Sequence, residues 1–147
     1  MIGSRGDRDS RGIIYDTAVL IEAERNGADP GSLLNGRRNG PYGISVVSIA
    51  ELLHGAHRAD TEERRARRLA FVENLCSIFS VFDYDLAAAK IFAEIWSSAA
   101  RKGISIGIND MIIAATAISR GHSVLTINRK DFESIEGLRL EVLESEK

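Results

Sequence analysis

Apolar positions along this chain recur with two periods, and the places where one gives way to the other mark out its elements. Ile13, Ile14 and Tyr15 form a short run of β-formers ending at Asp16, after which Val19, Leu20 and Ala23 continue at helical spacing. Ile44 to Val47 is a second such run. It leads into Ser48-Ile49-Ala50-Glu51, a Ser-x-x-Glu helix start in which the two side chains reach each other's backbone amides, followed by Leu52, Leu53 and Ala56. Thr61-Glu62-Glu63 opens a third helix with acids where the helix dipole favours them, and Leu69, Val72 and Leu75 supply its apolar stripe.

Ile78 to Phe82 reads as a third strand, and Asp85 is placed to cap a long helix through Ala88, Ile91, Phe92, Ile95 and Ala99 that stops at Gly103. Asn109 is placed to cap the next helix. Its residues Met111 to Ile118 are apolar on nearly every face, which predicts burial. Ser123 to Ile127 and Leu138 to Leu143 complete the strands. Strands alternating with helices require right-handed crossovers, so the expected fold is α/β: a three-layer α/β/α sandwich around a mostly parallel central sheet.

At 147 residues the chain fits one domain with one core, taken here as residues 13 to 147. Met1 to Gly12, rich in Gly, Ser, Arg and Asp, has too little apolar content to dock and is expected to be a flexible arm. Composition changes this picture little: 44% apolar and 27% charged residues are ordinary for a globular protein. The 19 basic and 21 acidic side chains leave a net charge of −2, so any contact with nucleic acid has to be local. Cys76 is the only cysteine, which excludes an internal disulfide, and its apolar surroundings suggest a buried thiol. The apolar runs are broken by Asp16, Glu51 and Asp110, well short of the ~20 residues that span a bilayer. With no signal-peptide core after the first arginines, the reading is cytoplasmic, without a membrane partner.

Candidate chemistry lies at the ends of the strands. An open parallel sheet binds ligands outside the carboxyl ends of its strands, near the switch in strand order. Asp16 ends the first strand, Glu51 lies in the first turn after the second, Asp110 starts the buried helix, and Asn128 and Asp131 follow the fourth strand. Carboxylates gathered at one edge repel unless a cation lies between them, and oxygen-only ligands select a hard ion such as Mg²⁺ or Mn²⁺. Each residue also has a structural reading. Glu51 fits a capping box with Ser48, Asp110 suits the positive end of a helix, and Asp131 suits a turn. Asp16 is harder to explain so, because an acid in a buried strand end costs several kcal/mol unless paired or bound to a metal. Capping explains each acid singly but not their convergence.

Ile14-Tyr15-Asp16-Thr17-Ala18-Val19-Leu20-Ile21 and Val47-Ser48-Ile49-Ala50-Glu51-Leu52-Leu53-His54-Gly55-Ala56 resemble the first two motifs of VapC-type PIN-domain toxins. Ile106-Gly107-Ile108-Asn109-Asp110-Met111-Ile112-Ile113-Ala114-Ala115 resembles the third, and Thr126-Ile127-Asn128-Arg129-Lys130-Asp131-Phe132 the fourth. The similarity runs in order through residues 13 to 143. It implies a PIN-like sandwich and an endoribonuclease in which Asp16, Glu51 and Asp110 hold Mg²⁺ or Mn²⁺, with Asp16 and Asp110 as direct ligands. It further implies a homodimer acting on RNA and a neutralising, VapB-like antitoxin. Glu51 would bind a metal or orient the attacking water, Asn128 and Asp131 would support the site, and Thr17 would contact phosphate. Asn128 stands where relatives often carry Asp, and Ala18 replaces a small polar residue, so this chain departs from the pattern at a metal ligand and at a hydrogen bond.

The remaining features read as structure. His54, His57 and His122 are scattered surface residues; Arg58, Arg64, Arg65, Arg67 and Arg68 suit a solvated helix, with Asp60 and Glu63 four positions before Arg64 and Arg67. Phe71, Phe79, Phe82, Phe92 and Trp96 follow apolar stripes and are expected in the core. A phosphatase or phospho-receiver domain also arranges Asp around Mg²⁺, but Asp16 lacks the Asp two places on that such phosphatases use, and only Asp83 and Asp85 are available as phospho-acceptors. A PIN nuclease of RNA maturation and a catalytically inactive PIN binding module are the other readings; the compact length and the retained core acids favour the toxin.

Overall fold

The computed structural model describes residues 12–36 and 40–144, and its elements follow in the order strand, helix, strand, two helices, strand, two helices, strand, strand. They are β1 (Ile13–Tyr15), α1 (Thr17–Arg25), β2 (Tyr42–Ser45), α2 (Val46–His57), α3 (Glu62–Ile78), β3 (Ser80–Phe82), α4 (Leu86–Lys102), α5 (Ile108–Ser119), β4 (Ser123–Thr126) and β5 (Leu140–Val142). Short 3₁₀ turns at Pro30–Leu34 and Arg129–Asp131 join them. The expected arm falls outside the described residues up to position 11. Gly12 is buried, and its carbonyl accepts the Ser123 amide at 3.1 Å, so the chain is tied to the sheet one residue before β1 begins.

The five strands run in the order β3-β2-β1-β4-β5, and all four strand pairs are parallel. The sandwich is thus wholly parallel among the described strands. Side chains alternate across its plane, as the period of two requires. Ile13, Tyr15, Ile44 and Leu125 face one layer, where Leu20 of α1, Leu52 of α2 and Val72 and Leu75 of α3 complete the core. Ile14 and Val124 face the other, against Ala88 and Ile95 of α4 and Met111, Ile113 and Ala114 of α5. Full burial of side chains such as Ile14, Leu20 or Leu75 contributes ~1.5–3 kcal/mol each. In β2, Gly43 is required by close packing: a Cβ there would overlap the Phe82 ring.

Helix termini follow the expected chemistry at three places. Thr61 accepts the Arg64 amide at 3.1 Å, Asp85 accepts that of Ala88 at 3.0 Å, and Gly103 ends α4 at φ 69°. At two others it does not. The cap of α2 is Ser45, which takes the Val47 amide at 3.1 Å, so the helix starts three residues earlier than the Ser48-to-Glu51 signature predicts and absorbs Val46 and Val47 from the expected strand. The cap of α5 is Gly107, not Asn109. Ile78 likewise belongs to α3, because Phe71, Val72 and Leu75 hold that helix against the core to its end.

Side-chain burial brings further corrections. Cys76 is exposed, one step round α3 from the buried Leu75. Phe71 and Phe79 are buried as expected and Phe82 and Phe92 half-buried, but Trp96 is 60% exposed on α4. His54 and His57 are at the surface; His122 is half-buried beside Phe82. Arg64 pairs with Asp60 at 2.8 Å, whereas Arg65 pairs with Glu62 at 3.1 Å. Among the described residues no helix is long and apolar enough to cross a membrane.

Candidate active site

The strand order reverses at β1: β2 and β3 lie to one side of it, β4 and β5 to the other. The crevice at the carboxyl ends of β1 and β4 is therefore the topological switch point. Asp16 occupies it. Its amide donates to the Leu125 carbonyl at 2.8 Å, continuing the parallel ladder one residue past β1, while its side chain is 3% exposed. Although Asp16 precedes the first turn of α1, its carboxylate does not cap that helix. It instead accepts the Thr126 hydroxyl at 2.8 Å, and Thr126 in turn accepts the Asn128 amide at 2.9 Å. Burial raises the pKa of Asp16; the Thr126 hydroxyl and the Thr17 amide oppose that shift, and the charges of Asp131 and Glu51 add to it.

Glu51 sits in the middle of α2 with both carboxylate oxygens engaged. Oε1 accepts the Thr17 hydroxyl at 2.7 Å and Oε2 accepts the Asn109 amide nitrogen at 2.9 Å. Ser48, fully buried one turn earlier on α2, lies 2.6 Å from the same Thr17 hydroxyl. The Ser48 and Glu51 side chains thus meet through Thr17 and serve no cap, and Thr17 turns toward Glu51. Asp110 is half-buried in the first turn of α5. Its pKa is pushed up to about 7, first by burial and then by the charges of Asp16, Asp131 and Glu51.

The four acids singled out by sequence therefore share one electrostatic neighbourhood, assembled from α1's approach, α2, α5 and the turn after β4. Asp131 is exposed at the end of the Arg129–Asp131 turn but contributes to the field on both Asp16 and Asp110. Asn128 is exposed and enters through its backbone. Ser48, Asn109 and Thr126 carry site contacts that pattern reading missed. The signals were present in the motifs, since each lies within three residues of a singled-out residue, but local rules assigned Ser48 and Asn109 to caps.

A model of the PIN domain matches residues 13–138. The chain belongs to the PIN domain family. Among PIN relatives, ribonuclease VapC1 of Rickettsia felis is 37% identical over 129 residues, covering 88% of this chain and 94% of the relative. The tRNA(fMet)-specific endonuclease VapC of Shigella flexneri is 41% identical over 98 residues, covering 67% of this chain and 72% of that protein. Among solved structures, DNA-bound VapBC of Salmonella typhimurium superposes with a TM-score of 0.77 at 35% identity, covering 90% of this chain and 98% of the matched chain. The PIN match spans every acid of the site, from Asp16 to Asp131.

Proposed function

We propose that this PIN-domain protein is a metal-dependent endoribonuclease, the toxin of a VapBC-type toxin–antitoxin pair. The observation that carries the reading is the convergence of Asp16, Glu51, Asp110 and Asp131 on one sheet edge, where burial first and then the mutual field of the acids raise the Asp110 pKa to about 7. Such a field costs stability in a metal-free protein and is relieved by a cation. The names of the relatives, ribonuclease VapC1 and tRNA(fMet)-specific endonuclease VapC, support RNA as the substrate, and the VapBC complexes support an antitoxin partner.

The donor set fits a hard divalent ion, since every candidate ligand is oxygen. Among the described residues no three Asp, Glu, His or Cys side chains converge closely enough to cage an ion by themselves. That departs from the expected trio of ligands and suits Mg²⁺ or Mn²⁺, which keep several waters and take one or two carboxylates together with substrate phosphate. When bound, the ion offsets charge building on the phosphate oxygens and activates water for in-line attack.

The residues divide the work. Asp16 and Asp110 hold the ion. Glu51, its two oxygens oriented from opposite sides, fixes the position of the attacking water or shares the ion. Asp131 strengthens the negative field that draws the cation in, and the Asn128 amide keeps Thr126 aimed at Asp16. The hydroxyl of Thr17 is committed to Glu51, so its part is support rather than phosphate contact.

Leu20, Leu33, Leu34, Leu52 and Leu53 belong to one apolar cluster and are the candidates for a surface on which an antitoxin docks. Leu20 and Leu52 are buried in the core, and the other three are half-buried. Only the latter remain available to a partner. The test is cleavage of RNA by purified protein with Mn²⁺ and with EDTA, alongside Asp16→Asn and Asp110→Asn. Cleavage by wild type in Mn²⁺ only, abolished in both variants with the fold intact, is expected; wild-type rates from both variants reject the assignment.

A further inference from the structure

Among the described residues, the hydrogen bonds to the acidic side chain in the middle of this site come from neutral groups alone. Thr17 Oγ1 donates to Glu51 Oε1 at 2.7 Å, and a hydroxyl has one proton to give. The 2.6 Å contact between Ser48 Oγ and Thr17 Oγ1 must then be donated by Ser48, which is fully buried and has no solvent to turn to. On the opposite side, a carboxylate has no hydrogen to offer, so the amide nitrogen of Asn109 faces Glu51 Oε2, at 2.9 Å. The direction of every bond is fixed: Ser48 to Thr17 to Glu51, with Asn109 closing from α5.

The choice of donors matters for a site that takes up a cation. An Arg or Lys would orient Glu51 equally well but would cancel its charge and repel the ion. Hydroxyl and amide donors hold the carboxylate while leaving its charge in place. Asn109 also immediately precedes Asp110 in the first turn of α5, so its bond ties Glu51, 58 positions earlier on α2, to the backbone that carries Asp110. The spacing of the two acids is thereby set by a hydrogen bond rather than by side-chain packing alone.

We propose that Asn109 is a positioning residue that holds Glu51 in register with Asp110, and that Ser48 performs the same service from the far side through Thr17. The proposal rests on the metal-dependent reading of the site. Its consequence is that removing the Asn109 amide leaves every acid present but lets Glu51 leave its place.

The experiment compares wild type, Asn109→Ala and Ser48→Ala by three measurements: thermal melting, Mn²⁺ affinity by calorimetry without RNA, and kcat and KM for a fluorogenic RNA at saturating Mn²⁺. For Asn109→Ala the expected result is a ~10–100-fold fall in Mn²⁺ affinity or in kcat, with KM for RNA little changed. Ser48→Ala, one bond further away, is expected to show a smaller fall of the same kind. If Asn109→Ala does not fold, Ser48→Ala carries the test, because it leaves the Asn109 bond and the start of α5 intact. Unchanged Mn²⁺ affinity together with unchanged kcat in the folded variants overturns the positioning role. Wild type that binds Mn²⁺ but cuts no RNA overturns the nuclease reading instead, and the affinity measurement then decides the role of Asn109.

Discussion

The Thr126 hydroxyl donates to Asp16 Oδ2 at 2.8 Å across 110 positions of the chain, joining the carboxyl ends of β4 and β1. Both side chains are buried, at 0% and 3% exposure, so water cannot replace the bond if it is lost. Thr126→Val keeps the shape, removes the donor and deprives the Asn128 amide of its acceptor. A loss of ~1–3 kcal/mol is expected, from leaving buried polar groups unsatisfied. Urea unfolding at neutral pH measures it, and equal midpoints for variant and wild type would count against a structural role for this bond.

The stability of the metal-free protein should fall as pH rises. Asp110 and Asp16 both have folded-state pKa values above the ordinary 3.8, with Asp110 at about 7. Between those limits the folded state binds more protons than the unfolded chain, so protonation favours folding and the contribution disappears as pH rises through the folded value. Thermal melts in EDTA are expected to show the highest midpoint near pH 4 to 5 from these two groups and a decline toward pH 8, with Mn²⁺ restoring stability at the alkaline end. Asp110→Asn should flatten the profile. A metal-free midpoint that climbs steadily from pH 5 to pH 8 contradicts this.

One tight Mn²⁺ site per protomer is expected in the absence of RNA. Asn128 is neutral and exposed and engages the site through its backbone, so the sheet edge lacks the charge for a second ion until phosphate arrives. Asn128→Asp should strengthen binding or add a site in calorimetric titration. Two tight, independent sites in the wild type would show that Asp131 already supplies what Asn128 lacks.

The protein is expected to be a homodimer, as the family resemblance implies, and the exposed apolar residues indicate where. Trp96 is 60% exposed, its ring 5.7 Å from that of Phe92, and it lines the same surface hollow as Ile108, 64% exposed at the start of α5. Apolar side chains left outside the core in such a group mark an interaction surface. Sedimentation should give a dimer for wild type and a monomer for Trp96→Glu; a variant that remains dimeric directs attention to another face.

Much of the fold was legible because the signals are local. The short β-rich run before Asp16, the apolar circumference of Met111 to Ile118 and the Asp85 and Gly103 stops around α4 each reflect a period or a backbone preference that operates within a few residues. The alternation of strand and helix then implied parallel pairing and placed Asp16, Glu51 and Asp110 toward one edge. Where local rules competed, the segment alone was ambiguous: Ser45 and Ser48 both precede helical residues and both satisfy a capping preference, and nothing within that segment shows which one starts the helix.

By itself the sequence determined the order of the elements, the parallel three-layer arrangement and the identity of the acids, since periodicity and chain connectivity leave few alternatives. Only the tertiary structure decided what those acids do to one another. Glu51 exchanged a cap for partners 34 and 58 positions away, Asp16 found Thr126 at 110, and Asp110 acquired its raised pKa from burial and from charges on three other segments. The same holds for Trp96, whose helical stripe is apolar whether or not a neighbouring layer covers it. Hydrogen bonds, desolvation and Coulomb fields act through space, so they are absent from any window of sequence and appear only when the sheet brings its strand ends together.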